Sequence, residues 1–486
     1  MNFKMIRNII MKLMMAEGIL LILPLIVAVI YHEQEWKMFA VLSAVLIASG
    51  LLFGDRQLKG NTRIFAREGF FIVGMTWVLW SFFGCLVFYF SGVLPSIVDC
   101  FFEMVSGFTT TGASVFTTVA DVPKSVLFWR SFSHWVGGMG VLVFVMALIP
   151  LAKNRSMYIM GAEVPGPVAG KILPKAGATA KTLYLMYFAM TMALTAILAF
   201  GGMPLYDALC NAFGTAGTGG FAVRDGSIGS YANPFYEVVI TVFMILFGIN
   251  FNIYYYLINR KFKDALKNTE LWTYFAIIFS AVTLITVNII GAYTSFGHAV
   301  RDAFFTVASI ISTTGYGTAN FDLWPNLSKM IILLLMVLGG CAGSTGGGIK
   351  IARVVIIAKA MRRELKKLVH PRLVQVIKID GKRVDDKAVS GVFVYMLFYL
   401  VIMFVSCFFV ALDGKDLVTT ISSVVSCLNN VGPGIGDIVG SVGNYSTMST
   451  LSKLVLTIDM LIGRLEIFPI LLLLSPGMWR LKGADW

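Results

Sequence analysis

Four short segments of this chain gather threonine, glycine and asparagine into turns: Thr110-Thr111-Gly112-Ala113, Gly217-Thr218-Gly219-Gly220, Thr313-Thr314-Gly315-Tyr316 and Asn430-Val431-Gly432-Pro433. None of them carries an acid–base pair able to drive covalent chemistry. What they offer is backbone oxygen. Glycine permits backbone angles that other residues resist, so neighbouring carbonyls can be aimed at one point. Four such turns around an axis would form rings of carbonyl oxygens able to replace the water around a dehydrated monovalent cation. The central glycines, taken as Gly112, Gly219, Gly315 and Gly432, are separated by 107, 96 and 117 residues. One Thr-Gly turn is a weak signal; four at near-equal spacing make an internal repeat.

These turns need elements to hold them. The chain has 486 residues, 57% hydrophobic and only 13% charged, with a mean hydropathy of +0.81. Soluble domains carry about a quarter charged residues, so the composition describes a membrane-embedded body. Apolar runs long enough to cross a bilayer fall near 9–30, 38–54, 70–91, 127–150, 182–201, 235–258, 271–291, 327–357, 389–411 and 451–474. The first follows Lys4, Arg7 and Lys12 like a signal peptide, but it is too long and lacks a cleavage site, so it reads as a span. Each turn lies between two runs and follows a short helix. Asp99 and Asp302 lie 13 residues before their glycine and Asp207 lies 12 before; all three are expected to open a helix, where the dipole favours a carboxylate. In the fourth copy Thr419 stands there, with Asp416 three residues earlier. A helix of roughly 10–12 residues cannot cross the bilayer. It must dip in and return through irregular backbone, which survives at depth only when buried in protein or lining water.

The basic excess of +13 has a direction. With the N-terminus inside, 30 of the 39 Lys and Arg fall on inner segments and 8 on outer ones, with Arg464 inside a span. The bias places both termini in the cytoplasm and puts all four turns on the outer side. It also explains the basic pI of 9.4 without nucleic acid. The six cysteines show no C-x-x-C pair and the four histidines no metal-ligand spacing. Glu17 and His134 are isolated polar groups within runs and read as packing residues.

Residues 339–348 interrupt the eighth run with Gly339, Gly340, Ala342, Gly343, Gly346, Gly347 and Gly348. Gly343 and Gly348 have the spacing of a nucleotide-binding loop, but Ile349 precedes Lys350 and no Ser or Thr follows it, so that reading fails. A break within a span must line a cavity, here beneath the turns. Arg464 is a charge at membrane depth, a functional hypothesis by default. Beside the break it would raise a barrier against cations; otherwise Glu466 or loop carbonyls neutralise it.

The third turn, with its Thr-Thr-Gly-Tyr-Gly, is close to the TVGYG filter of K⁺ channels. Further stretches stand out: Trp129 to Gly140, Gly339 to Lys350, and Gly463-Arg464-Leu465-Glu466. Together, over essentially the whole chain, they resemble the Trk/Ktr/HKT superfamily of K⁺ transporters, most closely its TrkH branch. The resemblance implies an all-α polytopic membrane protein of the bacterial inner membrane. Four tandem helix–pore helix–filter–helix repeats stand in a pseudo-fourfold, K⁺-channel-like arrangement after two extra N-terminal transmembrane helices. The expected division is 1–60 for those two helices, then repeats at 61–160, 161–262, 263–380 and 381–486. The resemblance further implies that glycine at all four central positions goes with K⁺ preference. It makes 339–348 an intramembrane gating loop, with Gly339, Gly340, Gly343, Gly346, Gly347, Gly348, Lys350 and Arg464 as gate residues. It also implies a homodimer and a separate TrkA-like cytoplasmic nucleotide-binding ring. No cofactor is expected in this chain, and K⁺ is the transported ion. The basic stretch Lys359 to Lys387 reads as a helix extension meeting anionic lipid or as the docking surface of that regulator. A Na⁺-coupled carrier of an organic solute also uses broken helices but does not account for four outer turns. An intramembrane enzyme lacks any paired catalytic set in the spans.

Overall fold

The computed structural model describes residues 3–54, 66–140, 176–372 and 374–475. The basic stretches within 55–65, 153–175 and 476–486, the end of the fourth apolar run, and the expected boundaries at 60/61 and 160/161 lie outside them.

In hydrocarbon every backbone polar group must be satisfied within its own segment, so apolar runs become helices. Helices α1 (Phe3–Leu20) and α2 (Ile22–Ile30) form one span, followed by α3 (Trp36–Phe53). The chain then passes four times through the same order of a long helix, a short helix, a turn and an inner helix, which is broken in the second, third and fourth passes. The first pass is α4 (Ala66–Phe90), α5 (Ile97–Phe108) and α6 (Lys124–Gly138). The second is α7 (Ala176–Phe200), α8 (Leu205–Gly217), then α9 (Pro234–Phe247) and α10 (Phe251–Ile258), with the small α11 (Phe262–Leu266) after it. The third is α12 (Thr269–Ile289), α13 (Phe296–Ile311), α14 (Asn326–Leu338) and α15 (Ile351–Val369). A two-stranded hairpin, β1 (Lys378–Ile379) and β2 (Lys382–Arg383), leads to α16 (Asp386–Ala411), α17 (Leu417–Leu428), α18 (Thr450–Arg464) and α19 (Phe468–Leu474).

Six stretches among the described residues are helical, long and apolar enough to cross a bilayer. Their outward faces are apolar: Leu397, Phe404 and Phe408 of α16 are each about two-thirds exposed, as a lipid-facing helix requires.

The short helices set the symmetry. Each packs against the inner helix of the preceding pass: α8 on α6, α13 on α9, α17 on α14, and α5 back on α18. The cycle closes, and the turns that end these helices meet at its centre. At 12 to 16 residues they are too short to span.

Two expectations change. Asp99 and Asp207 lie in the first turn of their helices, but Asp302 does not, because α13 begins upstream at Phe296. Interruption is also not confined to the eighth run. Among the described residues α6 ends at Gly138, α9 and α10 meet at a 92° bend, and α18 stops at Arg464 before Glu466 and Ile467, both at positive φ. The inner helices of the second, third and fourth passes are all broken.

Candidate functional site

Each turn begins where its short helix ends, and the local geometry is the same four times. Thr110, Thr218, Thr313 and Asn430 take the left-handed conformation, with φ of 55°, 53°, 59° and 55°. The next residue turns its N–H back to the helix: Thr111 to Ser106 O, Gly219 to Gly214 O, Thr314 to Ser309 O and Val431 to Ser426 O, at 2.8–2.9 Å. A glycine at positive φ follows: Gly112, Gly220, Gly315 and Gly432. The second turn is therefore shifted from the expected register. Its left-handed glycine is Gly220, and Gly219 corresponds to Thr111. With that register Asp207 also stands 13 residues before its glycine, like Asp99 and Asp302.

The turns are arranged head to tail around one point. A side chain at Gly112 would collide with the Gly219 carbonyl oxygen, one at Gly220 with that of Thr314, and one at Gly315 with that of Val431. A Cβ at Gly432 would lie 2.6 Å from Thr111 O, which closes the ring. Glycine is required here twice over, by its backbone angle and by the carbonyl of the next turn. Gly112, Gly220, Gly315 and Gly432 line one cavity of about 350 Å³.

Side chains behind the turns fix this geometry. Thr109 and Thr111 hydroxyls lie 2.8 Å apart, as do those of Ser312 and Thr314 at 2.7 Å. Asn430 Nδ2 donates to Thr111 Oγ1 and Met460 O, both at 2.9 Å, joining the last turn to the first. Tyr316 Oη donates to Asn211 O at 3.1 Å and Tyr445 Oη to Gly432 O at 2.9 Å. His134 sits between passes: Phe221 N–H donates to Nε2 at 3.2 Å, so Nδ1 carries the proton and donates to Gly107 O at 2.7 Å. It thereby ties the end of α5 to the second turn. Arg130, counted with the outer charges by sequence, is buried in α6. Its Nε pairs with Glu103 at 2.7 Å, Nη1 donates to Ala222 O, and the guanidinium lies 3.5 Å over the Phe221 ring. Glu103 in turn accepts Val115 N–H and Ser114 Oγ–H.

Beneath the turns lies the 339–350 break. Gly339, Gly343, Gly348 and Lys350 have positive φ. The Gly347 N–H donates to Thr313 Oγ1 at 2.6 Å, and a Cβ at Gly346 would lie 2.9 Å from Ser312 O. A Cβ at Gly347 would collide with Asn429 O, so the loop lies under the third and fourth turns. A loop at this depth has backbone groups to satisfy, and the bend between α9 and α10 supplies partners. Cys341 N–H donates to Gly248 O at 2.9 Å, Thr345 N–H to Phe247 O at 3.4 Å, and Phe251 N–H to Gly343 O at 3.1 Å. Two broken helices thus complete each other.

Cations hold the loop's oxygens. Lys350 Nζ donates to the carbonyls of Gly346 and Gly347. Arg464 donates to Thr345 O at 2.8 Å and to Gly137 O and Gly138 O, at the end of α6, at 2.5 and 2.6 Å. Gly340 completes the loop's seat, with Gly248 O 3.2 Å from where its Cβ would be. Arg464 is half-buried, whereas Lys350, Arg353 and Arg130 are buried outright, so it is not the one charge of the interior. Glu466 pairs with Arg353, whose guanidinium lies 3.9 Å over the Tyr395 ring. Sequence reasoning passed over Arg353, Glu103 and Glu270, since none belongs to a motif with a recognised spacing.

Each turn thus sets one backbone carbonyl, from Thr111, Gly219, Thr314 and Val431, against the glycine of its neighbour. Below them lies a loop whose Thr345, Gly346 and Gly347 carbonyls are held by Arg464 and Lys350.

Comparison with known proteins points the same way. The family model TrkH, described as a cation transport protein, matches residues 35–480. The Trk system potassium uptake protein TrkH of Escherichia coli K12 is 34% identical over 487 residues, 99% of this chain and 100% of that one. The protein of the same name from Vibrio parahaemolyticus is 32% identical over 489 residues with the same coverage. The crystal structure of the potassium transporter TrkH from Vibrio parahaemolyticus matches with a TM-score of 0.88 at 31% identity, over 99% of this chain and 100% of that chain.

Proposed function

Because the chain belongs to the TrkH family of cation transport proteins, we propose that it takes up potassium across a membrane through the ring formed by its four turns. It is a multi-pass membrane transporter, and its relatives carry potassium by name. The observation that carries the finer reading is the closed cycle of Gly112, Gly220, Gly315 and Gly432, each facing the carbonyl of the next turn. Four oxygens held by rigid helix ends offer a desolvated ion a shell that water would otherwise provide.

Glycine at the first position favours K⁺ over Na⁺, by likeness to the superfamily. The glycine-rich loop acts as the gate, with Lys350 and Arg464 holding it shut by occupying its carbonyls. The basic excess of the inner connections supports cytoplasmic termini in a bacterial inner membrane. A TrkA-like nucleotide-binding ring and a second copy of the chain are the expected partners. The exposed Met361, Leu365 and Leu368 of α15, beside basic Arg362 and Lys366, form a mixed face suited to such contacts.

Expression in a bacterial strain lacking K⁺ uptake tests the function. Growth at low external K⁺ is expected, and absence of growth with the protein present in the membrane would refute it. Rubidium scattering between the four turns tests the site.

A further inference from the structure

Glu270 stands in the first turn of α12 and is buried. Its Oε1 accepts the N–H of Ala342, inside the loop, at 2.6 Å, and the N–H of Ala352, in the first turn of α15, at 3.0 Å. One oxygen therefore joins the two flanks of the break. Neither flank can move outward from the axis without losing a charge-assisted hydrogen bond, the strong kind in a low dielectric.

The end of α12 is itself held from outside the membrane-spanning region. Asp380, in the Asp-Gly turn of the β1–β2 hairpin, accepts Thr269 N–H at 2.7 Å and Asn268 Nδ2–H at 3.3 Å. Lys359 of α15 donates to Lys378 O of the same hairpin at 2.8 Å. The hairpin thus bridges α12 and α15, the two helices that Glu270 and Ala352 join at depth.

From this circuit we propose that Glu270 is the latch of the loop and that the Asp380 turn is its handle. Both are positioning residues through which displacement of the exposed hairpin releases the break. The proposal rests on the loop being the gate.

The test is cation flux in liposomes carrying the full chain without a regulator. Glu270→Ala removes both hydrogen bonds to the carboxylate, each worth about tenfold on its own, and is expected to raise leak at least tenfold, with K⁺-over-Na⁺ preference unchanged. Glu270→Gln keeps a carbonyl oxygen able to take both N–H groups and should raise it less. In a chain shortened within 340–348, Glu270→Ala should add nothing, whereas a merely loosened fold would add its own leak. If the shortened chain leaks and Glu270→Ala does not, the latch is wrong while the gate stands. If the shortened chain is also tight, the gate reading fails and takes the latch with it. Should Glu270→Ala not reach the membrane folded, Asp380→Ala at the exposed hairpin decides: a two- to threefold rise (roughly one weak hydrogen bond) supports the circuit, and unchanged leak overturns it.

Discussion

Thr313 and Gly347 are joined by one hydrogen bond, the Thr313 hydroxyl accepting the Gly347 N–H at 2.6 Å. Thr313 belongs to the third turn and Gly347 to the loop beneath it, so the proposed filter and the proposed gate touch directly. Replacing Thr313 by Val removes the acceptor and keeps the shape. Basal leak should rise several-fold, for the loss of a buried hydrogen bond worth about 1 kcal/mol or more. Thr313→Ser should stay near the parent in the same liposome flux assay.

Shortening the loop within 340–348 should raise cation flux more than any single substitution, because it removes the plug itself. Flux that is unchanged or lower, with the protein intact by size-exclusion chromatography, would count against the loop as a gate.

Arg464→Ala should raise basal leak. Its guanidinium occupies Thr345 O and the two carbonyls at the end of α6, so removal both frees negative oxygen and takes away a positive barrier. Arg464→Lys supplies charge without the planar fork and should restore part of the closure. Unaltered flux in Arg464→Ala would make the residue purely structural.

Gly112→Ser should weaken preference for K⁺ over Na⁺, since its Cβ would press on the Gly219 carbonyl and its φ of 81° suits glycine. Gly220→Ala should do the same through Thr314 O. Reversal potentials in mixed K⁺/Na⁺ check both. An unaltered preference in both variants would place selectivity elsewhere.

Arg130→Ala should lower thermal stability strongly, by about 3–5 kcal/mol, because it leaves Glu103 as an uncompensated buried charge. Glu103→Gln with Arg130→Met should recover most of it. Melting in detergent, followed by fluorescence, reads the difference.

Much of this molecule is legible in its sequence, for reasons of physics. Apolar length, the Thr-Gly turns and the broken eighth run all follow from the demand that backbone be satisfied in hydrocarbon. The register of the second turn is not legible, because Gly217, Gly219 and Gly220 all stand in it. The left-handed Thr218, the bond from Gly219 N–H to Gly214 O and the positive φ of Gly220 together separate them. The break at Gly248 is hidden because glycine is common in transmembrane helices. Glu270 is hidden because an acid at a helix start is ordinary, and its partners lie 72 and 82 residues away.

The ring closes between its two ends: Gly432 faces Thr111 O, and Asn430 meets Thr111 across 319 residues. During translation, three quadrants are inserted before the fourth exists. A chain lacking its last quadrant leaves Thr111 O without the Gly432 turn that faces it, so the proposed shell is complete only once the fourth turn is in place.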